Sequence, residues 1–586
     1  MNMPKWLENR HNVLWTAFQT KPFRMADAAQ ALKKNTGDTK NQINVILSEL
    51  RKKELLTSQV DPQDARKRIY RLKSKEEVIT QTLAISENHI SRGELDALLK
   101  RAADLIRTRV DYSFILLLLF YKRISDKWEL EYELTYKHAL EDGLTEDEAR
   151  QEAKNSIYHD FDIPEEFLWE RVREEPVRLP ENFSRAMKAL AERNPELRDA
   201  FENVDFVQFT TSRENAEILR QLVELFSAKP LYHVSPDVLG DPYEWILGYF
   251  APQKAKEGGV YTAREVIRLI VEALDPKGGE SVYDPACGSG GMLINAYRHV
   301  EDVQGKEAAD KLFLYGEEIN HRTLALAKMN LYIHDIRNGT LMLGDTLLYP
   351  KFKEGESLNR FDVVIANPPW NQDGYGEEIL KRGEFWQDRY SLGFNPKQSA
   401  DWAWVQHMLA SAGAETGRVG LVIDNGCLFR GGKEKAIRAL MLKQDLIEAV
   451  ILLPEKLFYN TGAPGAVMML RHQKPRNRKG KVLFINASRE FEQHPDVRKL
   501  NRLGAGHIKK IAGAYNKFRQ EEGFSRTVGL DEIEENDFNL NVTLYVFPEE
   551  EIEEIDVHQE WRELKKIEAE LAGIEERIEA YLKVLK

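Results

Sequence analysis

Apolar and polar positions change their rhythm several times along the chain, and each change marks an element. In residues 1–75 the spacing is helical. Leu7, Leu14, Trp15 and Phe18 share one face, and Met25, Ala28, Ala29 and Leu32 mark a second short helix. Ile43, Ile46, Leu47 and Leu50 mark a third, which Thr39 is placed to cap. Leu55 to Leu72 then reads as two strands turning at Asp61-Pro62, so the module is expected to be a winged helix-turn-helix. Residues 76–90 are a polar connection. A helical domain follows over 91–240. It opens on a capping box, Ser91-Arg-Gly-Glu94, and has a core helix from Asp111 to Trp128, charged solvent-facing helices and irregular chain from Pro176 to Pro180.

Over 241–548 short β-branched runs alternate with helical stretches, the pattern of an α/β doubly wound sheet of Rossmann-like type. A helix is expected over Arg264–Leu274. Strands are expected over Ser281–Tyr283, Leu312–Tyr315, Thr340–Leu343, Val363–Ala366, Val419–Ile423 and Ala449–Leu453, with Lys481–Ile485 as an edge strand. Residues 371–400, with Trp386, Arg389 and Tyr390, read as a long polar loop; a loop of that length is usually functional or disordered, and beside the site it could close on substrate. In residues 549–586, Leu564, Ile567, Leu571, Ile574, Ile578, Tyr581 and Leu585 alternate spacings of three and four. This heptad stripe either covers its own domain or takes a partner helix.

Charge sharpens this division. The net charge is −12, yet residues 1–75 carry 16 Lys/Arg against 7 Asp/Glu, a net of +9 on a body of −21. Arg51, Lys52 and Lys53 close the third helix, and Arg66, Lys67 and Arg68 sit near the wing tip. A basic module of this kind suits nucleic acid, with protein contact as the alternative. Cys287 and Cys427 alone imply no disulfide framework and fit a reducing cytosol. No signal-peptide pattern is visible, and the longest apolar run, Phe114 to Tyr121, is too short to span a bilayer, so a cytoplasmic, membrane-free protein is expected. The 13 His are scattered and suggest no metal site.

Four strand ends carry the candidate chemistry. The first leads into Asp284-Pro285-Ala286-Cys287-Gly288-Ser289-Gly290-Gly291 and a helix, the nucleotide-binding turn of a doubly wound sheet. Its spacing differs from the dinucleotide fingerprint, so a nucleoside without pyrophosphate fits better. The second strand ends in Glu317-Glu318, and Glu318 is placed to bind ribose hydroxyls; an ordinary helix N-terminal acid is the alternative. The third ends in Gly344-Asp345, whose carboxylate can accept an adenine amino group. The fourth ends in Asn367-Pro368-Pro369-Trp370. There the Asn side-chain oxygen and the Pro368 carbonyl can each accept one N–H of a planar amine, while the Trp ring stacks on its base.

These motifs come together with Gly258–Thr262, Ala400-Asp401-Trp-Ala-Trp404, Asn425-Gly-Cys-Leu-Phe-Arg430 and Asn536-Asp-Phe-Asn-Leu-Asn541. From about residue 90 to 550 the chain resembles the modification (M) subunit of type I restriction–modification systems, an adenine-N6 DNA methyltransferase. It departs from the family at Trp370, where Phe is usual, and at Ala263, where Pro is usual. The winged helix is not part of the typical subunit. The resemblance implies S-adenosylmethionine as methyl donor, held by Tyr261, Thr262, Asp284, Ala286, Gly288, Ser289, Gly290, Glu318 and Asp345. It implies the N6 amino group of a flipped-out adenine in double-stranded DNA as acceptor, with Asn367, Pro368, Pro369 and Trp370 as catalytic residues. It further implies two M copies with one specificity subunit, optionally joined by a restriction (helicase-nuclease) subunit. The terminal helix is expected to dock on the specificity subunit. Two other readings stay open: a protein glutamine methyltransferase, and a winged-helix regulator whose fold senses S-adenosylmethionine.

Overall fold

The computed structural model describes residues 5–18, 21–36, 38, 40–52, 55–61, 64–72, 92–106, 113–201, 204–231, 263–458, 462–494, 499–547 and 557–584. Thr39, Pro62, Ser91, the 76–90 connection, Leu585 and the whole Gly258–Thr262 stretch, with Tyr261 and Thr262, lie outside the described residues.

The amino-terminal module is a winged helix. Helices α1 (Lys5–Phe18), α2 (Met25–Thr36) and α3 (Lys40–Lys52) pack with strands β1 (Phe23–Arg24), β2 (Leu56–Asp61) and β3 (Asp64–Leu72), in the antiparallel order β1-β3-β2. The periodic apolar positions form its core, with Leu7, Leu14, Ala28, Leu32, Ile43, Leu47 and Leu50 buried. Arg10 grips buried Asp38 with Nε (3.0 Å) and Nη2 (2.7 Å), which ties α1 to the turn before α3.

The helical region contains α4 (Arg92–Ile106), α5 (Ser113–Glu141), α6 (Glu146–Ala153), α7 (Leu179–Arg193) and α8 (Arg213–Phe226); α4, α5, α7 and α8 share one core, and α6 packs against α5. Two expectations change here. Helix α5 does not stop at Trp128 but runs unbroken for 29 residues, because no Gly or Pro interrupts it before Gly143. Pro176–Pro180 is not irregular: a 3-10 turn over Pro176–Arg178 leads straight into α7, where Pro180 occupies the first turn and its missing N–H costs nothing.

The sheet domain begins with α9 (Arg264–Leu274). Its strands are β4 (Ser281–Asp284), β5 (Phe313–Glu318), β6 (Gly339–Leu343), β7 (Val363–Ala366), β8 (Arg418–Asp424), β9 (Ile447–Leu452), β10 (Gly465–Arg471), β11 (Lys481–Asn486) and β12 (Ser525–Gly529). They form one sheet in the order β12-β11-β9-β10-β8-β7-β4-β5-β6. Strands β6, β5, β4, β7 and β8 are mutually parallel, while β10 runs antiparallel to both its neighbours. Lys481–Asn486 is therefore not an edge strand: β12 pairs along its outer side and β9 along its inner. The sheet is covered on both faces, by α9, α10 (Gly291–Gln304) and α14 (Ala505–Lys517) on one and α12 (Asp401–Ala410) and α13 (Gly432–Lys443) on the other.

Helix α11 (His321–Ile333) joins the two bodies. Leu324, Ala327 and Leu331 face the sheet core, while Ala325, Leu326, Met329 and Ile333 belong to the core of the helical region. A helix buried on both sides is apolar nearly all round, as its sequence is. Tyr332 completes the joint: its ring lies 4.4 Å from Phe161 and 5.8 Å, edge-on, from Phe120. Asp160 then accepts from Arg337 (2.6 and 2.8 Å) and from the Tyr332 hydroxyl (3.2 Å). Separately, α15 (Val557–Val584) carries the heptad stripe, and Leu564, Ile567, Leu571, Ile574 and Ile578 are all 47–60% exposed.

The aromatic joint makes a measurable claim. Phe161→Ala should lower unfolding free energy by roughly 3–5 kcal/mol, because it empties a buried site that cannot collapse freely. Denaturant titration checks this; a loss below about 1 kcal/mol would mean the joint contributes little.

Candidate active site

Strand β4 ends at Asp284, and the glycine turn follows. Gly288 (φ +54°) and Gly290 (φ +82°) adopt left-handed backbone, and a Cβ on Gly290 would sit 2.8 Å from Leu331 Cδ1. The turn is held from three sides. The Ala286 N–H donates to Asp284 Oδ1 (3.0 Å), the Gly288 N–H to Glu318 Oε2 (3.1 Å), and Asn330 Nδ2, from α11, to the carbonyl of Ser289 (3.0 Å). Asp284 is buried, and that burial, with the Glu318 charge nearby, pushes its carboxyl up to about 8.

The two glutamates ending β5 are separated by the pleat. Glu317 is fully buried and accepts from the hydroxyls of Tyr283 (2.8 Å) and Thr346 (3.1 Å) in the core. Glu318 is half-buried at the strand's mouth, and its Oε1 also accepts the Asn320 N–H (2.8 Å). Beside it Ile319, 58% exposed, offers an apolar surface at the same rim. At the end of β6, Asp345 accepts from the Leu348 N–H (3.3 Å) and from the Tyr375 hydroxyl (2.9 Å).

Beyond β7 the Asn367-Pro-Pro-Trp370 turn is shaped by contacts from elsewhere in the sequence. Trp370 Nε1 donates to Asn367 Oδ1 (3.0 Å), and its ring packs edge-on against Phe458 (4.9 Å) above Gly465. An indole N–H only donates, so the Asn367 atom facing it is the carbonyl oxygen, an atom type with two acceptor directions. Asn371 takes left-handed backbone (φ +51°), and its N–H donates to Asp401 Oδ1 (2.9 Å). Asp401 is itself buried, with Ser399 Oγ at 3.0 Å and Arg430 Nη2 at 3.4 Å. Arg430 also pairs with Asp424 and with Glu434 (3.1 Å), so one guanidinium serves three carboxylates under the turn. The sequence reading quoted Asp401 and Arg430 without a role and missed Tyr375 and Phe458. Nothing local marks those two, since their partners lie 30 and 88 residues away.

Residues 371–400 do not form a free loop poised to close. They contain two short helices, Glu377–Leu380 and Trp386–Arg389, and bury Leu380, Arg389, Tyr390 and Asn395. Arg389 donates to the carbonyls of Thr346 (2.9 Å) and Glu384, and Tyr390 to that of Leu347 (2.8 Å), so the segment is fastened to the end of β6.

The arrangement brings Asp284, Ala286, Gly288, Ser289, Gly290, Glu318 and Asp345 to one end of the sheet, with Asn367–Trp370 one strand further along. The donor set fits a nucleoside carrying a cationic group. Glu318 can take diol hydroxyls, Ile319 and the glycine backbone can flank a flat base, and buried Asp284 gains from a neighbouring positive charge. Among the described residues there is no group of His, Cys, Asp and Glu able to hold a metal ion.

A family model described as N-6 DNA Methylase matches residues 234–554, and one described as HsdM N-terminal domain matches residues 95–226. The MjaVII methylase subunit of a type I restriction enzyme from Methanocaldococcus jannaschii is 43% identical, covering 99% of this chain and 98% of its own. The MjaVIII methylase subunit from the same organism is also 43% identical, over 99% and 97%. Among solved structures, a type I restriction-modification methyltransferase subunit from Streptococcus thermophilus superposes with a TM-score of 0.66 at 26% identity, over 78% of this chain and all of that one.

The raised Asp284 carboxyl sets a pH dependence. A bound cation favours the ionised carboxylate and so lowers its pKa in the complex. Affinity for a cationic nucleoside seated beside Asp284 should therefore rise as pH increases toward about 8 and level off above, with proton release on binding below that pH. Asp284→Asn should flatten the profile. Calorimetry in buffers of different ionisation enthalpy reads both, and a flat wild-type profile between pH 6 and about 9 would remove Asp284 from the ligand's surroundings.

Proposed function

The chain belongs to the methylase subunits of type I restriction enzymes, the N-6 DNA methylases, and from that premise we propose that it methylates the N6 amino group of an adenine flipped out of double-stranded DNA, with S-adenosylmethionine as donor. The observation that carries this reading is the Asn367 carbonyl oxygen, fixed in direction by the Trp370 indole, next to the Pro368 carbonyl at the strand end beside the nucleoside turn.

S-adenosylmethionine, bound across Asp284, Ala286, Gly288, Ser289, Gly290, Glu318 and Asp345, and across Tyr261 and Thr262 by resemblance, supplies an electrophilic methyl group. The protein's part is positioning and electrostatics. Adenine's amine is a poor nucleophile because its lone pair is delocalised into the ring. Accepting its two hydrogens at Asn367 Oδ1 and the Pro368 carbonyl pulls the nitrogen toward tetrahedral geometry and frees the lone pair. The methylated nitrogen sheds its extra proton to solvent, because amide and peptide carbonyl oxygens accept hydrogen bonds but are too weakly basic to keep a proton. The base must leave the helix to reach a buried Asn, and the Trp370 ring offers it a stacking face.

Sequence choice is assigned to a separate specificity subunit, with two copies of this chain per complex and a restriction subunit as an optional addition, working in the cytoplasm. The support is α15, whose apolar stripe stays exposed along a 28-residue helix. Among the described residues no helix is long and apolar enough to cross a membrane.

Asn367→Ala should abolish methyl transfer to DNA while S-adenosylmethionine binding by calorimetry stays within about twofold, because the side chain faces the acceptor and not the donor. Comparable turnover in the variant contradicts the assignment. Leu571→Asp with Ile574→Asp places charges in the α15 seam, where desolvation disfavours them. Co-purification with the specificity subunit, and with it site-specific methylation, should be lost. Normal assembly would move the partner to another surface.

A further inference from the structure

The winged helix lies outside both matched family regions, which begin at residues 95 and 234, yet alignments covering 99% of the chain take it in. Its attachment is visible. Arg68, on β3, pairs with Asp142 at 2.7 Å, and Arg51, in the last turn of α3, reaches the same carboxylate at 3.5 Å and Ser58 Oγ at 3.3 Å. Asp142 directly follows the end of α5. One carboxylate of the helical region thus gathers the carboxyl end of α3 and the wing, and the module meets its protein neighbour through them.

The opposite end of α3 is left facing outward. Gln42, Val45 and Ser48 recur at helical spacing on one exposed stripe, with Val45 55% exposed, and none of the three is charged. Lys33 and Lys34, in the last turn of α2, are exposed just before the turn into α3, and Lys21 and Arg24 are exposed ahead of α2. An uncharged polar helix face that begins at its amino end and is flanked by lysines is what a major groove between two phosphate rows requires. The excess of nine positive charges over residues 1–75 gives the same sign of partner, whereas a protein-docking role is already met by Asp142.

We propose that α3 of the winged helix is a second DNA-binding element, seated by its Gln42–Val45–Ser48 face in the groove of duplex DNA, with Lys33 and Lys34 on the phosphates and the Asp142 clamp fixing its angle to the body. The element adds affinity without reference to the methylated base, so it stands apart from the methyl-transfer reading.

The test uses the full-length chain and a fluorescent duplex of arbitrary sequence, followed by anisotropy across a salt series. Gln42→Glu with Ser48→Glu should weaken binding roughly tenfold at low salt. Lys33→Ala with Lys34→Ala should reduce the slope of log affinity against log salt by about two. Thr16→Glu with Ala17→Glu, on exposed positions of α1, changes the charge of the same module equally and should leave affinity near wild type. Because all of these side chains are exposed, the fold is retained, which a thermal melt verifies. Unchanged binding in the α3 and α2 variants overturns the proposal, and so does an equal loss in the α1 variant, which would reduce the effect to bulk charge.

Discussion

The parallel direction of β6, β5, β4 and β7 is the constraint on which everything else rests. Parallel strands in register must end on the same side of the sheet. Asp345, Glu318, Asp284 and Asn367 are spread over more than eighty residues, yet they are delivered to one rim because each follows or ends one of these four strands. Reversing any one strand would send its acid or amide to the far edge. The buried Val282 of β4 and Val363, Val364 and Ile365 of β7 enforce the direction, since only helical crossovers can cover both faces of such a sheet.

Position alone does not shape a site, and burial supplies the rest. A polar ring runs beneath the rim: Tyr283, Glu317, Thr346, Arg389 and His407 are bonded each to the next, and His407 back to Tyr283, all within the core. Desolvation and the Arg389 charge hold His407 neutral, and desolvation raises the Glu317 carboxyl. The network fastens the turn after β6 to residues 371–400, which explains why that segment packs rather than swings. Under the neighbouring turn Asp401, Glu434 and Asp424 share Arg430, and Asp401 also holds the Asn371 backbone.

Much of this was legible in the residues. Strand-glycine-helix order gave the turn at Asp284–Gly291, and two prolines placed Asn367 at a strand end, because both are local rules. The winged helix followed from periodicity, and the choice of Glu318 over Glu317 agrees with the burial of Glu317. What failed was non-local. The run Ala466–Leu470 is apolar throughout, but nothing in it says that it inserts antiparallel between β8 and β9, and nothing in Ser525–Gly529 says that it pairs outside Lys481–Asn486 and keeps that strand from the edge. Residues 371–400 look polar because their buried members satisfy backbone carbonyls, Arg389 that of Thr346 after β6 and Asn395 those of Tyr375 and Ser399 within the segment itself, a role composition cannot display. The Trp370 indole bond was likewise invisible: the sequence showed an aromatic ring where the contact is made by its N–H.

The central claim is that the strand-end amide accepts hydrogens from an adenine amine. The most direct measurement follows the methyl group itself. Isotopically labelled S-adenosylmethionine is incubated with the purified chain, its specificity subunit and duplex DNA, and the digested nucleosides and peptides are resolved by mass spectrometry. The account predicts label in N6-methyldeoxyadenosine and in no peptide. Label on a protein glutamine, on another base, or in no product at all would contradict it.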